Sequence, residues 1–364
     1  MGNPYAVQLG DKVAAARRVL TEVVPESAWL DPFASAESGF RNRAKLVVAG
    51  DVGAATLGIL DAGQRGVDLQ DCGIHETSIK GALPVLADFI DDLRLLPYDV
   101  PKRRGELKHL HVTSNPVGEL MVRFVLRTDR QSQRIIATLP QLHVELPGLR
   151  VATINHLPEH VALLEGDRED ILTEQRTLAM DLGRVTLQLG PKSFFQTNTA
   201  VAQGLYETAR AWLEDSQPGS LVDLYCGVGG FGLYAATLPT PPSVIGVEVS
   251  DDAIASARHT LKELRKDEKA PGSVEFVAAD ATTAAGRVSD ADCVIVNPPR
   301  RGIGADLATT IQRSAATTLV YSSCNPETLA QDLAAMPGFT VTKARLFDMF
   351  PQTAHSEELV LAQR

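Results

Sequence analysis

The sequence predicts an α/β fold in its second half and a β-rich α+β region ahead of it, on three observations. From Leu221 onward, short apolar runs alternate with amphipathic helical stretches, the pattern of a parallel sheet with helices on both faces. Before Leu189, strand-like runs follow one another with few helices between them, which reads as antiparallel. The stretch LVDLYCGVGGFG (221–232) ends a strand in four glycines and leads into a helix. Glycine there lets the backbone take φ > 0 or lie flat against a ligand, and the helix start offers unpaired N–H groups. Alone, this turn fits several adenosine cofactors, and glycine turns without any ligand are common.

In chain order, residues 11–24 read as an amphipathic helix, with Val13, Ala14, Leu20, Val23 and Val24 on one face and Lys12, Arg17 and Arg18 outside. Pro25 ends it. A strand-like run follows Phe40, and further strands are predicted at 56–60, 107–113, 120–126, 134–139, 151–154, 161–164 and 185–189, with a helix at 78–95. Residues 194–212 read as largely helical. Strand 221–224 then pairs with helix 231–238, and strand 244–247 with helix 251–264. Strands 274–277, 293–296 and 318–321, helix 327–333, and strands 340–346 and 359–362 complete the chain.

With 364 residues there is room for two domains, and 44% hydrophobic with 22% charged residues suits a globular enzyme. A net charge of −10 argues against a general nucleic-acid coat, yet residues 101–130 hold seven basic against three acidic side chains. Read alone, that segment is a solvated surface. Cys72, Cys226, Cys293 and Cys324 are far apart and form no C-x-x-C pair, so this is no disulfide scaffold, and reduced thiols suit a cytoplasmic setting. The first residues show neither a secretory signal nor a myristoylation pattern, and no apolar run reaches bilayer length.

Three groups of residues carry the chemistry. Glu248 closes the second strand about twenty residues past the glycine turn, where an acid holds ribose hydroxyls. Asn297-Pro298-Pro299 follows the fourth strand at the carboxyl rim, a stiff turn that aims an amide at the crevice. Cys324 stands at the end of the fifth strand, with Asn325 able to cap the next helix and Pro326 suited to its first position. That helix start is expected to lower the thiol pKa. Cys226 and Cys293 read as buried filler. Glu357 lies just before the last strand, close enough in this topology to meet Cys324.

FFQTN (194–198), DLYCGVGGFG (223–232), VNPPRRGIG (296–304), YSSCNPETLAQDL (321–333) and LFDMFPQTAHSE (346–357) together resemble the RNA uracil-C5 methyltransferases, in particular the type that modifies 23S ribosomal RNA. GFRNRAKLVV (39–48), KRRGELKHL (102–110) and RFVLR (123–127) extend the likeness over nearly the whole chain. The resemblance implies a Rossmann-like class I S-adenosylmethionine-dependent methyltransferase domain at 186–364, a β-rich α+β RNA-binding domain at 32–185, and an N-terminal helical segment at 1–31 packed on the former. Gln196, Tyr225, Glu248 and Asn297, with Gly227 and Gly229 of the turn, are the implied S-adenosylmethionine contacts. Tyr225 stands where phenylalanine is more usual. Cys324 matches the nucleophile and Glu357 the base. Arg41, Arg43, Lys45 and the cluster from Lys102 to Lys108 are candidate phosphate contacts. The expected partner is RNA, 23S ribosomal RNA first, with no membrane, and the chain is expected to be a monomer.

One departure concerns metal. The family usually holds a [4Fe-4S] cluster on four cysteines, and only Cys72 matches one of them. A single thiolate cannot hold such a cluster. A start placed too late in the reading frame is the expected reason, with loss of the metal as the other. Three rival functions remain. The same reaction on tRNA uses the same motifs. An amino-methyltransferase would carry an aromatic residue where Arg300 stands and needs no Cys324. A non-catalytic RNA-binding module would not need Gln196, Glu248, Cys324 and Glu357 together.

Overall fold

The first helix, α1 (Tyr5–Leu20), follows Pro4, whose missing N–H costs nothing at a helix start. It begins earlier and ends sooner than the apolar spacing predicts, since Val23 and Val24 close a turn onto the Leu20 carbonyl instead. Its buried stripe is Lys12, Ala16 and Leu20, so Lys12 faces inward rather than outward. The charge is matched there: the Lys12 ammonium lies 2.6 Å from an Asp348 carboxylate oxygen and donates to the Phe350 carbonyl at 3.0 Å. The computed structural model describes residues 3–266, 272–283 and 285–364. Within it, Met1–Glu37 and Asp181–Arg364 make one compact unit and Ser38–Met180 a second.

In the second unit, alternation sets the sheet. In β1 (Arg43–Asp51), Ala44, Leu46 and Val48 are buried while the residues between them are not fully covered. The strands are β2 (Ala54–Leu60), β3 (Gly66–Asp68), β4 (Leu107–Ser114), β5 (Leu120–Leu126), β6 (Leu149–His156) and β7 (Arg168–Ile171), and the spatial order is β3-β2-β1-β4-β5-β6-β7. All neighbours are antiparallel except β5 and β6. Helices α2 (Thr77–Asp92) and α3 (Ser132–Glu145) bury Leu83, Ile90, Ile135 and Leu142 against Leu110, Val122 and Ile154. The strand expected at 134–139 is therefore part of α3. Ile135, Leu139 and Leu142 recur at helical spacing, and core burial overrides the β-branched pair Ile135-Ile136. The strand expected at 161–164 is an irregular segment with Val161, Leu163 and Leu164 exposed. Asn155 holds the chain just beyond it, accepting from the Gly166 amide at 2.7 Å and donating to the Gly166 carbonyl.

Short strands β8 (Leu178–Asp181) and β9 (Thr186–Leu189) precede α4 (Thr199–Ser216). α4 starts later than expected because Asn198 caps it, accepting from the Val201 amide, so FFQTN is extended chain leading into a helix. The first unit's sheet is built from β10 (Ser220–Leu224), β11 (Ser243–Glu248), β12 (Val274–Ala278), β13 (Cys293–Val296), β14 (Thr318–Ser323), β15 (Thr340–Phe347) and β16 (Glu357–Gln363). Their order is β12-β11-β10-β13-β14-β16-β15. The first five run parallel, and β16 inserts antiparallel between β14 and β15. Helices α5 (Gly230–Ala235), α6 (Asp251–Lys266), α7 (Ala285–Val288), α8 (Gly304–Arg313) and α9 (Pro326–Ala334) supply the crossovers. Alternation along β10 divides the two faces. Val222 and Leu224 join a core with Leu20, Leu307 and Leu329, while Asp223 between them meets α5. Among the described residues, no helix is long and apolar enough to cross a membrane.

Candidate active site

The carboxyl edge of the parallel strands collects the predicted residues. After β10 the chain turns sharply, with φ of 57° at Tyr225, 53° at Gly227 and 84° at Gly229. A tyrosine in that region is strained, and glycine is not. The glycines serve different needs. A Cβ on Gly229 would meet the Phe276 ring at 2.8 Å, and one on Gly230 the Tyr206 ring at 2.5 Å. A Cβ on Gly227 would meet nothing within 4 Å, so this residue borders open space. Beneath the turn, the fully buried Asp223 carboxylate accepts from the Gly232 amide at 2.9 Å and fixes the start of α5. Burial pushes that carboxyl up to about 7.

Glu248 ends β11, the neighbour of β10. One of its oxygens accepts from the Gly227 amide at 3.2 Å and the other from the Ser250 amide at 3.0 Å. The acid and the open glycine thus share one corner. Asn297 follows β13 on the other side of β10, half-buried, its amide 3.3 Å from the Leu224 carbonyl. Gln196 is buried two residues ahead of the α4 cap. A cradle with an open glycine, an adjacent carboxylate and an amide at the strand tips fits an adenosine-bearing ligand.

The Asn297-Pro298-Pro299-Arg300 turn owes its rigidity to more than proline. The Arg300 carbonyl accepts from the Asn325 side chain at 3.0 Å and from the Thr328 hydroxyl at 3.3 Å. The Ile303 amide donates to Asp332 at 2.9 Å, and the Tyr321 hydroxyl donates to the same carboxylate at 2.6 Å. This turn is therefore tied to the segment that carries Cys324. Asn325 also caps α9 by accepting from the Glu327 amide, with Pro326 at the first turn.

Strand register brings Cys324 and Glu357 together. β14 and β16 pair Ser322 with Leu359 and Ser323 with Glu358, and one further step sets Cys324 across from Glu357. Alternation places Ser322, Cys324, Glu357 and Leu359 on one face. Glu357 is 2% exposed, and the Ser322 hydroxyl donates to its Oε1. Burial pushes this carboxyl up to about 7 against the pull of that hydrogen bond. The Cys324 thiol is half-buried, and the expected lowering of its pKa is not what the site produces. Burial raises it first and the Glu357 charge second, with the Arg300 guanidinium beside it pulling the other way. Arg300 also donates to His355 Nδ1 at 2.9 Å, linking the proline turn to the loop that leads to Glu357. Sequence reasoning gave no role to Ser322, Arg300 or Asp332. Their only signal was position, inside the motifs that hold Asn297 and Cys324. Cys226 and Cys293 are buried as expected.

Among the described residues, Cys72 is not part of any group of side chains with metal-ligating geometry. It sits in a turn of the second unit, its amide donating to the Leu69 carbonyl, and the other three cysteines belong to the first unit. Among the described residues, one cluster has metal-ligating geometry, Asp129, His156 and Asp170, and it contains no thiol. The residues present do not fit a four-thiolate cluster. Most candidate phosphate contacts are engaged within their own unit. Arg43 donates to Thr113 at 3.1 Å, Lys45 pairs with Glu165 at 3.7 Å, Lys102 with Asp99 at 2.7 Å, and Lys108 donates to the Glu159 carbonyl while lying over the Tyr98 ring. Arg103 and Arg104 are exposed.

The family described as tRNA (Uracil-5-)-methyltransferase matches residues 169–364. A 23S rRNA (uracil(747)-C(5))-methyltransferase, RlmC, of Halothiobacillus neapolitanus is 46% identical over 100% of this chain and 95% of its own length. The protein of the same name from Yersinia pseudotuberculosis is 42% identical over 99% of this chain and 94% of its own. The crystal structure of Pyrococcus abyssi tRNA (uracil-54, C5)-methyltransferase in complex with S-adenosyl-L-homocysteine is similar with a TM-score of 0.82, at 25% identity, covering 99% of this chain and 83% of that one. On this family match and these full-length likenesses, the chain belongs to the S-adenosylmethionine-dependent RNA uracil-C5 methyltransferases.

Proposed function

We propose that the chain methylates C5 of a uridine in 23S ribosomal RNA through a covalent adduct between Cys324 and C6 of the base. The names of relatives sharing 42–46% of its residues over 94–95% of their length support the substrate, at the position equivalent to uracil 747. The observation that carries the mechanism is the register setting Cys324 across from Glu357 at the strand tips.

C5 of uracil is too weak a nucleophile to take a methyl group unaided. The Cys324 thiolate adds to C6, and the displaced π pair moves onto C5 and the O4 enolate. Arg300 and the start of α9 favour the thiolate against burial and the Glu357 charge. Gly227, Gly229, Tyr225, Glu248, Asn297 and Gln196 would hold S-adenosylmethionine, whose methyl group passes to the C5 carbanion as the S–CH3 bond breaks and S-adenosylhomocysteine is left. Glu357 then takes the C5 proton. The C5=C6 bond re-forms as the C–S bond breaks and its pair returns to sulfur. An unpaired loop is the expected target, since the base must leave any stack to reach the thiol.

Cys324→Ala should abolish methylation while sparing S-adenosylmethionine binding. Glu357→Gln should accumulate a protein–RNA adduct that resists denaturing gels. Ordinary turnover by either variant refutes its assigned role. Mapping 5-methyluridine in 23S ribosomal and transfer RNA of a deletion strain separates the two substrates: loss from 23S RNA alone is expected, and loss from tRNA overturns that choice.

A further inference from the structure

Ser322 is wholly buried in β14, where Leu319, Val320 and Tyr321 fill the neighbouring positions. A hydroxyl taken out of water needs a partner, and this one donates to Oε1 of Glu357. Ser322 lies across from Leu359, so Glu357 and Cys324 are each two residues away on the same face. We propose that Ser322 is a positioning residue for the base: it clamps one carboxylate oxygen of Glu357, leaves the other to take the C5 proton, and favours the ionised carboxylate that the step requires. This rests on the reading of Glu357 as the base.

Burial drives Glu357 toward its neutral form, and the Ser322 hydrogen bond opposes that drive. A neutral acid cannot remove a proton, so the hydroxyl widens the pH range over which the adduct resolves. It also spreads the carboxylate charge that faces the Cys324 sulfur. A hydroxyl of merely structural value would change thermal stability and leave the pH dependence where it was.

The test follows decay of the covalent adduct in single turnover, with S-adenosylmethionine and an RNA fragment holding the target loop. For Ser322→Ala the decay at neutral pH should slow about tenfold, the acid limb should move up by about one pH unit, and the rate should return in alkali. Ser322→Thr keeps the hydroxyl and should restore the wild-type limb. Ser322→Val fills the site without a hydroxyl and gives the same reading if the alanine variant folds poorly. S-adenosylmethionine affinity should stay unchanged in all three. An unshifted limb in Ser322→Ala and Ser322→Val overturns the proposal, whatever their thermal midpoints. Glu357→Gln, run alongside, should hold the adduct at every pH. If it releases product normally, the base assignment fails, and that outcome is read independently of Ser322.

Discussion

Glu357 is a carboxyl group that the fold holds against its preference for water. Its pKa rises on folding from the ordinary 4.5 to about 7, because burial penalises the charged form. The sign follows from linkage. Stability from this group is fully present below the unfolded value and is lost as pH rises through the folded one. Glu358, raised to about 8 by burial, and Asp223, raised to about 7 by burial, act in the same direction. Replacing Glu357 by Gln removes one such loss. We expect the variant's gain in denaturant midpoint to be small near pH 5 and to grow toward pH 8, up to on the order of 3 kcal/mol. A gain independent of pH would show that Glu357 stays ionised. At this scale the sequence was legible where a residue type has few uses. A cysteine between a strand and a capped helix, and a carboxylate ahead of the last strand, stood out. Ser322 and Arg300 did not, because their partners are set by strand register and by hydrogen bonds to Asn325 and His355.

The glycine turn shows the same limit for an element. Its strand, turn and helix were plain from the residues, but not that its glycines answer to different constraints. Gly230→Ala would push a methyl into the Tyr206 ring, where α4 packs on α5, and should cost about 1–3 kcal/mol of stability. Gly227→Ala meets no neighbour and should cost only the left-handed backbone penalty of about 1–2 kcal/mol. Its larger effect should be a raised KM for S-adenosylmethionine. An unchanged KM in Gly227→Ala would remove the distinction. The helix α3 and the irregular segment at 161–164 were misread for one reason. A short apolar run carries no label for the face that will cover it, and burial by Leu110, Val122 and Ile154 decided the first case while lack of a covering element decided the second.

For the molecule as a whole, the first unit is discontinuous, joining Met1–Glu37 to Asp181–Arg364. Its opening helix is held by residues more than three hundred positions away, through Lys12 with Asp348 and Phe350. Both members of that ion pair are buried, at 4% and 0% side-chain exposure. Removing one leaves an unbalanced charge, so Lys12→Met should destabilise the unit by about 3–5 kcal/mol, and Lys12→Met with Asp348→Leu should recover much of it. Equilibrium unfolding of the single and double variants measures both, and purely additive losses would mean the two side chains do not depend on each other. Periodicity placed Lys12 on the outer face because a lysine is normally solvated, and only its distant partner reverses that.

The order in which a ribosome delivers these pieces matters. Lys12 emerges on the order of half a minute before Asp348 exists. Until then Lys12 lacks the carboxylate it pairs with in the folded unit, whereas Ser38–Met180 is contiguous and can collapse as soon as it is made. The sheet of the first unit is complete only when β16 has slid in between β14 and β15.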